Sequence, residues 1–522
     1  MRNNIRLLIF AALAVIMAAC SGSRDRSGDV RTELLSYVPD KTAVVVSLNP
    51  QKIFRSAGGD WTEEKGIEFG PYIEECIKGF GGDFEELKPE ISKYLKIKGL
   101  NPESFLFATN SGVYDWFMLA ALADKAAFVD YMKSNDVEFE SKGSYDVYGK
   151  RKNYMVIDND EALVWVLNDD DADEAIKSIK NIKSRASDKP MPDWATSYLG
   201  SGDNEFAAVG SFDAMGVNLG GLLRLANVPS DLLGGDISYI AVTACDKDHK
   251  FAGALATLDA NGKNVPLLNQ KIYDNADLSA MDLLPAECNS KAGIGISGKE
   301  IFEYIPQLKS AMADARMADA LESVQSLAFG IGSVDKAGFD AAMYGVGGIP
   351  EFPVKGCAAV VKCAPGKSSL ILKLIAENVP GINTVDANTL KLDVDSSQIK
   401  GLDAVYFSDQ NGAVVISTEN LKVGNASVGA PAKTLAYSYA DNKIYSSSDN
   451  QFAFMAEMIK SSTGRWDADG ICSEIEFTDK CPGALAFLCK IISVYAPEAM
   501  KAADNVDEEE TIDDEWVAEV CH

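Results

Sequence analysis

TAVVVSLNPQKIF, residues 42–54, returns in altered form as AGIGISGKEIF, residues 292–302. Each opens on an apolar run too short for a helix and closes on Ile-Phe behind a Lys. A helix-starting signal stands between the two parts. Asn49 before Pro50 fits an N-cap followed by Pro at the first helical position. The Asn side chain accepts from a free amide, and Pro has no amide to leave unpaired. The unit therefore reads as a strand that feeds a helix. EFAAVGSFDAMGV (205–217) reads the same way. KTLAYSYADNKIY (433–445), followed by the helical QFAFMAEMIKSS, is a weaker fourth case.

A second kind of unit accompanies the first. SFLFATNSGVYDWFMLAAL (104–122), DISYIAVTACDKDHKFAGALATL (236–258), VQSLAFGIGSVDKAGFDAAMYGV (324–346) and ICSEIEFTDKCPGALAFLCKI (471–491) share one pattern. Two apolar or alternating arms flank a polar centre, which predicts a hairpin. Extra hairpins are expected at 145–167 after the first copy and at 388–418 after the third. The matching order implies an internal duplication with a period of roughly 220–250 residues. DADEAIKSIKNI (171–182) carries acids early and lysines late, as the helix dipole favours. FEYIPQLKSAMADARMADALESV (302–324) has apolar residues at helical spacing. The expected fold class is α+β: duplicated strand–helix–hairpin units in mostly antiparallel sheets packed with helices. AVVVSL and LVWVL are apolar on both faces, which predicts sheets covered on both sides.

The ends differ from the body. MRNNIRLLIFAALAVIMAAC has a basic start (Arg2, Arg6), a ten-residue apolar core (Leu7 to Ile16), then Ala18-Ala19-Cys20. The core is too short to span a bilayer as a helix. Small residues before Cys20 resemble the lipobox of bacterial lipoproteins, in which the Cys carries the lipid. The expected organisation is a signal peptide at 1–19 and a flexible tether at 20–32. Two α+β halves follow at 33–282 and 283–497, then an acidic, disordered tail at 498–522. That tail holds ten carboxylates against Lys501. Removing 1–19 leaves 47 basic against 77 acidic side chains, a net of −30. Such a balance disfavours nucleic acid and anionic lipid heads as partners. No other run of 18 or more apolar residues is present.

The lipobox-like start, SYVPDKTAVVVSLNPQKIF and the overall length resemble a Bacteroidetes lipoprotein family of unknown function, domain of unknown function 4836. The resemblance spans the chain to about residue 490. It implies a lipid-anchored protein at the outer membrane of a Gram-negative bacterium, and it carries no catalytic residues over.

Little in the sequence points to catalysis. His249, in a turn, and His522 are the two histidines, which leaves almost no room for His-based triads or zinc sites. GIGISGKE places Lys299 where a nucleophile elbow needs Gly. CAPGKSS (363–369) has Val361 where a phosphate loop needs its first Gly, so it reads as a turn and helix start. The acid clusters DNDE (158–161) and NDDDADE (168–174) fit a turn and a helix N-terminus. No metal and no cofactor is expected. Trp116 and Trp165 sit in apolar strands and read as core. Trp61, Trp194 and Trp466 sit in polar contexts and are the candidate surface contacts. Nine cysteines follow Cys20, with no CxxC pair. The turn TDKCPG centres the last expected hairpin so that Cys472 and Cys489 stand opposite, a candidate disulfide. The function expected is that of a non-catalytic binding or structural envelope lipoprotein, with envelope proteins or glycans as partners. The alternative is an extracytoplasmic, glycan-acting hydrolase that uses Asp and Glu side chains.

Overall fold

The quoted stretch forms β1 (Val44–Leu48) and α2 (Pro50–Arg55), with the Asn49 side chain accepting from the Lys52 amide at 3.0 Å. Its echo forms β11 (Ser290–Ile294) and α8 (Gly298–Tyr304). Ser297 and Glu300 close a reciprocal capping box there. This computed structural model describes residues 32–494 except 63–64, 80–95, 110–115, 151, 160–161, 168, 170, 219, 222–228, 313, 335–351, 353, 396, 398, 400, 425–427 and 446–452. Cys20, the tether and the acidic tail lie outside the described residues, apart from Thr32.

Among the described residues, twenty strands join in one sheet, and every ladder between them is antiparallel. The first ten are β1, β2 (Leu100–Thr109), β3 (Trp116–Leu122), β4 (Glu140–Lys142), β5 (Tyr145–Lys150), β6 (Asn153–Asp158), β7 (Ala162–Leu167), β8 (Phe206–Ser211), β9 (Tyr239–Lys247) and β10 (Lys250–Leu258). The second ten are β11, β12 (Val324–Ile331), β13 (Ala358–Cys363), β14 (Ile382–Asp386), β15 (Thr389–Asp393), β16 (Ala404–Gln410), β17 (Ala413–Ser417), β18 (Thr434–Asp441), β19 (Ile459–Asp467) and β20 (Gly470–Phe477).

The first half lies in the order β4-β5-β6-β7-β3-β2-β1-β8-β9-β10. The second lies in the order β14-β15-β16-β17-β13-β12-β11-β18-β19-β20. Adding ten to each label turns the first order into the second. The halves meet where β10 pairs with β20, from Lys250 opposite Glu476 to Leu255 opposite Ile471. What would be an open edge in either half alone is thereby covered by the other.

One face of the first half is a closed core. Val45, Leu106, Phe117, Val164, Val209 and Ala241 pack there against α1 (Thr32–Leu35), α5 (Ala172–Asp188) and α6 (Asp193–Leu199). The corresponding face of the second half is closed by the 278–288 segment with Leu421, Val423 and Val428 instead of a long helix. On the opposite face, α2, a ribbon of Asp60–Thr62 with Gly66–Glu68, and α4 (Lys125–Lys133) cover one end of the first half.

Several expectations change. The last hairpin does not form: β20 is its first arm, but residues 484–494 are a helix, α11. Cys472 instead stands in register with Arg465 and Ala254, and Cys489 lies on α11, so the strand-pairing argument for a Cys472–Cys489 disulfide fails. The segment 145–167 makes three strands, not two, because Lys152 and Asn159 both take positive φ and allow two tight turns. The expected helix 302–324 is broken into Gly298–Tyr304, Pro306–Ser310 and Ala315–Glu322 (α9), with Pro306 and the Asp314 cap marking the breaks. After β8 the chain turns at 212–216 where a helix was expected. The second arm expected after β12 falls largely at 335–346, outside the described residues.

Candidate functional site

Antiparallel register sets directly opposite residues on the same face. Followed across the ladders, one row reads Met155, Trp165, Met118, Phe107, Val46, Ala208, Val242, Leu255, Ile471, Trp466, Ala436, Ile294, Leu327, Val361, Val414. Every member is apolar, and the row crosses fifteen strands, roughly 65 Å at the usual strand spacing. It runs on the face opposite the Val45 core. A closed core would bury it, yet Val414 alone is fully buried and the rest are half-buried or exposed. Both-sided coverage, expected from the apolar strands, is thus incomplete.

The opening is widest around β12. Leu327 is 40% exposed and Phe329 43%, while Ser326 and Ala328, alternating with them on the other face, are buried. Phe329 is flanked in register by Ala292 and Ala359, and Leu327 by Ile294 and Val361. The helices leading into β12 add exposed Leu308, Met317 and Leu321. On β3, the counterpart of β13, Trp116 is 38% exposed.

The tryptophans divide differently from expectation. Trp61 is a core residue, edge-on to Phe54 and close to Phe105. Trp194 packs on the closed core, edge-on to Tyr239 and beneath Gly262. Of the three, Trp466 alone joins the apolar row. Trp165, expected in the core, is a half-buried member of that row, and Trp116 is exposed. The signal that separates them is alternation against the neighbouring strand, which requires the register.

A second cluster is polar and buried. Glu205 precedes β8 and accepts from the Asp246 amide at 2.6 Å. Asp246, on β9, accepts from the amide of Ala484 at the start of α11. Burial pushes Glu205 up to about 7, and burial likewise lifts Asp246 to about 6. Nearby Lys52 donates to the carbonyls of Gly202 and Asp203 at 2.6 and 3.2 Å. Asn49, Gln51, Lys52, Arg55, Glu103, Gly200 and Gly202 line a depression of about 90 Å³ beside it. Small-molecule sites usually hold about 300–1,000 Å³. Both carboxylates bind backbone amides: Asp246 fastens α11 to the first half, and Glu205 holds the Asp246 amide. His249, in the two-residue β9–β10 turn, has Nδ1 3.1 Å from the Cys481 carbonyl and joins the same fastening.

The acid clusters are structural too. Asp158 is fully buried, accepting from Tyr37 at 2.8 Å and pairing with Lys183 at 2.6 Å. Asp171 caps α5 by accepting from the Glu174 amide. Among the described residues, no group of three or more His, Cys, Asp or Glu is placed to hold a metal ion. No described helix is long and apolar enough to cross a membrane.

No protein-family model matches the chain, and no curated relative does. Two solved structures, crystal forms I and III of TP0453, align at TM-score 0.26 with 13% and 12% identity. Each alignment covers 49% of this chain and 89% of TP0453.

Proposed function

We propose that this protein is a lipid-anchored cell-envelope protein that binds a protein partner along the open apolar face of its sheet and performs no catalysis. The apolar row, with exposed Leu327 in it and exposed Phe329 two residues along the same strand face, carries the reading. Exposed, contiguous apolar surface on a folded protein marks contact sites more often than chance. A protein partner suits the face better than the other classes. The strong acidic excess repels nucleic acid and anionic lipid heads, and a long apolar row matches another protein's apolar surface better than a sugar. Lipidation at Cys20 and membership of the resembling lipoprotein family belong to the same reading. So does internal duplication, which the identical ladder orders and the paired strand–helix units support.

The test is a crosslinking pull-down from intact cells with wild type and with Leu327→Asp/Phe329→Asp. Both side chains are exposed, so the variant should fold, and circular dichroism checks this. The expected outcome is loss of one specific crosslinked protein. Unchanged capture, or turnover of a glycan, peptide or ester that one Asp or Glu substitution abolishes, overturns the reading. Cys20→Ala should move the protein from the membrane to the soluble fraction.

A further inference from the structure

The chain's last described helix returns to its beginning. α11 lies beside α3 (Pro71–Gly79), and polar ties frame the contact. Tyr72 donates through its hydroxyl to the Lys480 carbonyl at 2.6 Å. The Ala486 amide donates to the Ser56 carbonyl at 3.3 Å, and Lys490 pairs with Glu75. One residue from that ion pair on each helix stand Cys76 and Cys489. They are 9% and 3% exposed and pack with Ala57 and Leu485. The two thiols share that small buried cluster on facing helices. The other buried thiols face backbone carbonyls instead: Cys288 that of Gly356, Cys363 that of Val361, Cys481 that of Gly483. Cys472 meets Arg465.

We propose that Cys76 and Cys489 are a redox pair that closes to a disulfide and fastens α11 to α3, with a small disulfide or an oxidised dithiol protein as the electron acceptor. The Cys76 thiolate attacks one sulfur of the donor R–S–S–R, forming a mixed disulfide and releasing RS⁻, which takes up a proton. Cys489 loses its proton and attacks the Cys76 sulfur. The S–S bond between the two cysteines forms, and the second RSH departs. Two protein thiols are oxidised and one donor disulfide is reduced to two thiols. The neighbouring Cys489 thiol holds the Cys76 thiol below its ordinary value, and Cys76 together with burial pushes Cys489 up. Cys76 is therefore the attacking group. The bond would close a loop of most of the chain, where cross-linking restricts the unfolded state most.

The experiment refolds the full purified chain from denaturant in a glutathione redox buffer, alkylates free thiols under denaturing conditions and maps the peptides. The expected map joins the Cys76 peptide to the Cys489 peptide and leaves both unalkylated. Cys76→Ser should return Cys489 to the alkylated set, and oxidised wild type should melt roughly 5 °C or more above the reduced form. Alkylation of both cysteines, or a link from Cys489 to any other cysteine, overturns the proposal. If a serine variant fails to fold, the wild-type map decides alone. The result is independent of the partner-binding reading.

Discussion

Asp158 and Glu205 are both buried carboxylates, but their surroundings differ. Asp158 has a cation and a hydroxyl; Glu205 has chiefly backbone amides. Lys183→Ala leaves a buried charge without its counter-ion, so it should destabilise the fold by about 3 kcal/mol in equilibrium urea unfolding. Glu205 titrates in the opposite sense from a salt-bridged acid. Its folded value is raised, so its stabilising contribution is complete below the ordinary Glu range and is lost as pH rises through about 7. Glu205→Gln keeps an oxygen for the Asp246 amide and removes the ionisation. The variant should match wild type near pH 4 and exceed it by about 2–3 kcal/mol at pH 8, read as the difference in unfolding free energy. A constant difference across that range would show that burial does not govern Glu205. Neither role was legible in the residues around these acids, because burial comes from distant packing.

Caps and turns are the features that local sequence declares best. Asn49-Pro50 and Ser297 start α2 and α8 as expected, since an N-cap involves atoms only a few residues apart. Asn49→Ala and Ser297→Ala should each cost about 1 kcal/mol by thermal unfolding, with Ser297 the larger because Glu300 reaches back to it. Gly298→Ala should cost more than either. A Cβ there would lie 1.7 Å from the Leu321 carbonyl oxygen at the end of α9, and the two elements would have to separate. The 484–494 segment shows the limit of pattern reading. ALAFLCKII is apolar enough for a strand or a helix, and docking against α3 selects the helix.

The two halves hold each other by exchange. The helix after β10, α7 (Gln270–Asp274), inserts Ile272 and Tyr273 beside Leu435 and Trp466 of the second half. The helix after β20, α11, lays Leu485 and Cys489 on Ala57 and Cys76 of the first. A protease site placed at Asn261-Gly262, in the turn beyond β10, should therefore give a nicked protein that still elutes as one species. It should divide only in denaturant. Ending the chain at residue 480 should strip the cover from α2 and α3 and lower the melting temperature of the remaining protein. Elution of separate pieces after nicking would show that the β10–β20 ladder and the α11 contact bind weakly, since α7 stays on the second piece with Leu435 and Trp466.

Composition, caps and alternation established the α+β class, the antiparallel bias and the strand–helix echo, because each arises from neighbours within a few residues. They also pointed away from His, nucleotide and metal chemistry. The positions of the tryptophans, the partner of Cys489 and the apolar row needed the fold. The Cys489 contact comes from helix docking, and the others depend on register between strands as much as 226 residues apart, where a one-residue slip moves every side chain to the other face. Trp61 and Trp466 both sit among polar neighbours in sequence. Only the ladder across β18, β19 and β20 sets Trp466 in the apolar row, while Phe54 and Phe105 close over Trp61.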